Sequence, residues 1–164
     1  MMSDLKFNSE LMKVIYSHYK MGPHSLHGPD HWLRVGVIGL RLADLTGANK
    51  KIVRYFAQLH DIGRTTDDSD LYHGLESARF CKQHRGSIDL SDAEFKKLIF
   101  AIAKHPMGKT CDDVDIGVCW DADRCDLGRV GISPDLAYFS TKQAKEKSFS
   151  DWAFELHLNS DKLI

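Results

Sequence analysis

The chain has 164 residues, 43% of them hydrophobic and 27% charged, enough for one domain that buries roughly two-thirds of its unfolded surface. A formal net charge of −1 argues against a protein held on nucleic acid by bulk electrostatics. The longest apolar runs, VGVIGL at 35–40 and LIFAIA at 98–103, fall far short of a bilayer span of about 20 residues, and MMSDLKFNSE lacks a signal-peptide layout, so a cytoplasmic protein is expected.

The first predicted helix covers 8–20, with Leu11, Val14, Ile15 and Tyr19 at helical spacing and Asn8 or Ser9 as its cap. MGPHSLHGP at 21–29 reads as a loop, because Gly-Pro occurs twice. A second helix is predicted over 30–45, with Trp32, Val35, Ile38 and Leu42 in step, closing before Thr46-Gly47. A third spans 49–62 and is stopped by Gly63, and the polar stretch RTTDDSDLY leads to a fourth over 73–84. Ser91 with Glu94 forms a capping-box signature for a fifth, which runs through Phe95, Leu98, Ile99 and Ile102 to His105 before Pro106. A sixth covers 114–127 and holds Cys119 and Cys125, expected as core thiols. With Cys81 and Cys111 they make no CxxC, which fits reduced thiols rather than a disulfide scaffold. The tail, 132–164, contains one convincing helix around 151–158. No stretch alternates at period two, no repeat is visible and no linker divides 1–164, so the fold class is all-α.

Four of these helices carry a metal-competent side chain on their apolar face. His31 precedes Val35, Ile38 and Leu42 by four, seven and eleven; His60 follows Phe56 by four; His105 follows Ile102 by three; Asp123 follows Trp120 by three. Buried charge needs a partner, and a cation is a suitable one for carboxylates beside imidazoles. His60 and Asp61 are adjacent, and neighbours on a helix diverge by about 100°. They can address one ion only at a helix end, where Gly63 places one; otherwise Asp61 orients His60 or terminates the helix.

HGPDHWLRV, FAQLHDIGR and CWDADRCDLGRVGI together resemble the HD superfamily of metal-dependent phosphohydrolases, over about residues 27–131. The resemblance implies a compact helical bundle and the metal ligands His31, His60, Asp61 and Asp123, with Asp121 as the fallback for the last. LYHGLESARF and LIFAIAKHPMGK resemble the segments that add histidines in the dinuclear branch, which includes dinucleotide polyphosphate hydrolases, HD-GYP phosphodiesterases and a few di-iron oxygenases. On that likeness Asp61 bridges two ions and His73 and His105 hold the second. The alternative is a capping His73 and a His105 favoured by the helix macrodipole.

Arg64 and Arg124 stand beside these residues as phosphate holders, although Arg124 can equally pair with Asp121 or Asp126. Asp61 or Asp121 is the expected acceptor of the water proton. His27, Lys104 and Lys109 are expected to be solvated, and TTDDSD at 65–70 to be a surface turn. Mixed histidine and carboxylate ligands suit iron, manganese, cobalt, nickel or zinc better than magnesium. One or two such ions would activate water against a small phosphate ester or nucleotide. Two other readings share the ligand set: a di-iron oxygenase, and a regulatory module that binds metal or nucleotide without turnover.

Overall fold

The structure, a computed structural model, describes residues 9–159, which form seven α-helices and no strand. They are α1 (Ser9–His18), α2 (Pro29–Thr46), α3 (Lys50–Leu59), α4 (His73–Gln83), α5 (Asp92–Lys104), α6 (Val114–Cys125) and α7 (Lys147–Leu158), with short 3-10 turns at Arg85–Ser87, Leu127–Val130 and Leu136–Tyr138. Local chemistry sets most of their limits. α2 starts at Pro29, whose fixed φ suits a first helical turn, one residue before the predicted start. It ends at Gly47, with φ 79°, whose N–H returns to the Ala43 carbonyl. Asn49 caps α3, Ser91 and Glu94 close a capping box on α5, and Asp113 caps α6. Asn8, the other predicted cap for α1, lies outside the described residues.

Two of these caps also join helices. Asn49 donates its side-chain amide to Glu94 at 2.6 Å and its backbone N–H to Asp115 at 2.7 Å, linking the starts of α3, α5 and α6. α2 runs through the middle, with Val35, Ile38 and Leu42 fully buried between α3 and α6. Gly39 makes the close approach possible: a Cβ there would sit 2.6 Å from Val53 Cγ1 and 3.3 Å from the Ala122 Cβ. α4 packs on α5, and α7 covers the outer face of α2, where Arg41 lies 3.9 Å over the Trp152 ring. α7 begins at Lys147, four residues before the predicted helix. None of the described helices is long and apolar enough to cross a membrane.

The end of α3 differs in a way that matters for the site. α3 stops at Leu59 rather than 62, and residues 60–63 turn away. Gly63 lets this turn lie close on α4: a Cβ there would meet the Ser77 backbone nitrogen at 2.6 Å and the His73 carbonyl at 2.7 Å. Its N–H donates to Ser77 Oγ at 2.9 Å, so the turn lies directly on α4.

Candidate metal centre

That turn puts Asp61 where five helices converge. α2 brings His31 in its first turn, His60 follows the end of α3, α4 opens with His73, His105 follows the end of α5, and α6 contributes Asp123. Asp61 Oδ2 lies 3.5 Å from His31 Nε2 and 3.5 Å from His60 Nε2. Asp123 Oδ1 completes that group, 3.4 Å from His31 Nε2 and 3.7 Å from His60 Nε2. Asp61 Oδ1 faces the other way, 3.1 Å from His73 Nε2 and 3.4 Å from His105 Nε2.

The outer ring nitrogens decide what these histidines present inward. His60 Nδ1 lies 3.1 Å from the Phe56 carbonyl, His105 Nδ1 lies 2.7 Å from the Ile102 carbonyl, and His73 Nδ1 bonds the Asp70 carbonyl. A carbonyl only accepts, so each of these Nδ1 atoms carries the proton and each Nε2 a lone pair. His31 Nδ1 donates to Asp126 Oδ2 at 2.7 Å, to the same effect. Nε2 of His31 then faces Nε2 of His60 at 3.1 Å, and Nε2 of His73 faces Nε2 of His105 at 2.8 Å. With every ring neutral no proton lies between these pairs, and carboxylate oxygens surround them. Such a constellation fits cations on both sides of Asp61.

Protons tell the same story in the metal-free protein. Burial and Arg129 push His31 down, but Asp123, Asp126 and Asp61 outweigh them and raise it to about 9. Burial pulls His60 down to about 3, against the nearby carboxylates. Burial would raise Asp61 and Asp123, yet the surrounding histidines hold both well below the usual carboxylate range. A single proton on His31 therefore stands in for a cation between the buried Asp61 and the half-buried Asp123.

A supporting layer holds His31 in place. Asp126 is buried and takes Arg34 Nε at 2.7 Å and Nη2 at 3.1 Å besides His31. Sequence reasoning did not single out Arg34 or this role for Asp126. The signal was there, since Arg34 follows His31 by three and Asp126 follows Asp123 by three, on the same helical faces.

Other expected site residues fall differently. Asp121 is fully buried but faces the 140–141 backbone: Ser140 N–H donates to Oδ1 at 2.7 Å, and Thr141 N–H and Oγ1 donate to Oδ2, each at 2.8 Å. Both its oxygens are engaged as an anchor, which corrects its expectation as fallback ligand and proton acceptor. Arg124 donates to the Tyr138 carbonyl at 2.7 Å and to the Gly108 carbonyl, pinning two loops to α6 rather than pairing with Asp121 or Asp126. Arg64 donates from Nε to Asp61 Oδ1 at 3.3 Å and from Nη1 to the Thr66 and Asp68 carbonyls. His27, expected to be solvated, is buried with Nδ1 3.0 Å from Asp61 Oδ2. Its signal was Trp32, whose indole N–H holds the His27 carbonyl at 2.8 Å. Lys104 is exposed as expected, and Cys81, Cys119 and Cys125 are buried free thiols.

A cleft of about 520 Å³ opens over the cluster, lined by Asp61, His73, His105 and Asp123 together with Arg64, Lys109, Arg124 and Arg129. Ser69 and Asp70 of the polar 65–70 turn also border it. Compared with known proteins, the sequence matches the family described as HD domain over residues 30–128. No curated protein and no solved structure matches the chain.

Proposed function

The chain belongs to the HD domain family, and on that footing we propose that it is a metal-dependent phosphohydrolase with a two-ion centre, cleaving a small phosphate ester or nucleotide. The observation that carries this reading is the pair of inward Nε2 lone-pair groups, His31 with His60 and His73 with His105, on opposite oxygens of one carboxylate. His31, His60, Asp61 and Asp123 would hold one ion, and His73, His105 and Asp61 the other. Manganese, iron, cobalt, nickel or zinc suits such a donor set. Bound there, a divalent ion polarises a phosphoryl oxygen and lowers the pKa of water.

The chain's own residues supply the rest. With Asp121 committed to the 140–141 backbone, Asp61 is the one of the two carboxylates that stands beside the attacking water. Arg64 is steered into the cleft by Asp61, with Nη2 turned to no described partner, and serves as the phosphate holder. Lys109 and Arg129 add positive charge to the same lining. Arg124 builds the wall instead, because its guanidinium is spent on two carbonyls. Four free cysteines agree with action in a reducing cytoplasm.

The test is turnover of a panel of phosphorylated metabolites by manganese- or cobalt-loaded protein, run anaerobically and in air. Release of phosphate or nucleoside monophosphate at equal rates in both supports the proposal. Arg64→Ala should keep its metal and lose roughly 1.5–3 kcal/mol of substrate binding. Activity confined to iron-loaded protein, with oxygen consumed in proportion to product, would establish the oxygenase reading instead. Nucleotide binding with no turnover would make the chain a regulatory module.

A further inference from the structure

The family match begins at residue 30 and ends at 128, so His27 and Arg129 lie just outside it. Both are nonetheless built into the centre. The His27 N–H donates to Ser25 Oγ at 3.1 Å, its carbonyl accepts the Trp32 indole at 2.8 Å, and Arg129 Nε donates to the neighbouring Leu26 carbonyl at 2.9 Å. Two bonds to the His27 backbone and one to its neighbour fix this loop residue beside the centre.

Its ring nitrogen meets two contradictory neighbours. His27 Nδ1 lies 3.0 Å from Asp61 Oδ2 and 3.1 Å from Arg129 Nη2. The carboxylate only accepts and the guanidinium only donates. With a hydrogen on Nδ1, Asp61 is satisfied and the arginine N–H is opposed. With a lone pair there, Arg129 is satisfied and the lone pair confronts Asp61. A cation on the Asp61 side removes the conflict, and Nδ1 is well placed for one: ligand atoms of His27, His31 and Asp61 all lie within 4.8 Å of one another, and all three residues are buried.

The geometry points to His27 as a fifth, exchangeable ligand, its Nδ1 lone pair shared in turn between a cation on the Oδ2 side of Asp61 and the guanidinium of Arg129. The inference rests on the metal centre proposed above. Exchange moves one electron pair from an N–H donor to the cation and releases no proton from the ring. Arg129 also bonds the Asp126 carbonyl at 3.0 Å, so the parking place for His27 belongs to the layer that holds His31.

Cobalt(II) titration of the full chain against a chromophoric chelator, with visible spectra of the first bound equivalent, tests this. His27→Ala should weaken the first cobalt about tenfold or more and change its d–d bands, because a nitrogen leaves the coordination sphere. His27→Asn keeps an N–H that can reach Asp61; it should fail to restore either property. If the Asn variant regains wild-type affinity and spectrum, His27 acts through a hydrogen bond and the inference is overturned. Wild-type cobalt behaviour in a folded His27→Ala variant overturns it too, while leaving the centre intact. A wild-type chain that takes up no cobalt overturns the centre itself.

Discussion

In the proposed centre, His31 is the residue at which a proton and a cation would compete most directly. Its folded-state pKa of about 9 lies above the ordinary 6.5, so its contribution to stability is fully present below about pH 6.5 and is lost as pH rises through 9. His60 works in the opposite sense: held near 3, it contributes stability that is lost as pH falls from 6.5 toward 3. Metal-free protein should therefore melt at the highest temperature near pH 6.5 and lose several degrees on the way to pH 9. An ion at His31 replaces the proton, so the gain in melting temperature on adding manganese should widen across that window. A His31→Gln variant should show a flatter alkaline limb. A wild-type melting temperature that does not change between pH 6.5 and 9 in chelator would contradict this account.

At the scale of elements, the centre depends on how closely the turn after α3 lies on α4. The Cβ of a Gly63→Ala variant would meet backbone atoms of Ser77 and His73, which cannot swing aside as a side chain can. Overpacking of this kind costs about 1–3 kcal/mol. It should also push Asp61 away from His73, so the variant should melt lower and lose the second metal equivalent before the first. Retention of both equivalents with unchanged affinity would show that the turn has more freedom than its packing implies. Asp121 gives the complementary case, an α6 carboxylate that serves structure. Asp121→Ala leaves two backbone N–H groups at 140–141 without their acceptor, a loss of about 1–3 kcal/mol. Thermal unfolding should show that loss while elemental analysis shows the metal content of wild type. A folded Asp121→Ala variant without metal would return Asp121 to the centre.

At the scale of the whole molecule, the two-ion proposal becomes a stoichiometry. Purified protein saturated with manganese should approach two ions per chain, and the His73→Ala/His105→Ala double variant should hold one. A wild-type ratio that stays at one would reduce the centre to the His31 side of Asp61. Much of this arrangement was legible beforehand. Helical periodicity and capping are local, so the apolar stripes of α2, α3, α5 and α6 and the Ser91–Glu94 box could be read from a few residues each, and with them the inward histidines. Periodicity also placed Asp123, and the resemblance to the HD superfamily added the roles of Asp61 and His73. What no local pattern contained was the partner of the outer nitrogen of His31 and of the loops that carry His27 and Arg129. Asp126 meets Arg34 across 92 positions and His31 across 95; Arg129 meets His27 across 102. The direction Asp121 faces depends on a segment 19 residues on that has no helical period of its own. Periodicity tells which side of a helix is buried, because burial follows the 3.6-residue turn. Which atoms meet there, and so whether a buried carboxylate is an anchor or faces a cation, is decided only when distant segments are packed and their hydrogen bonds must all be satisfied together.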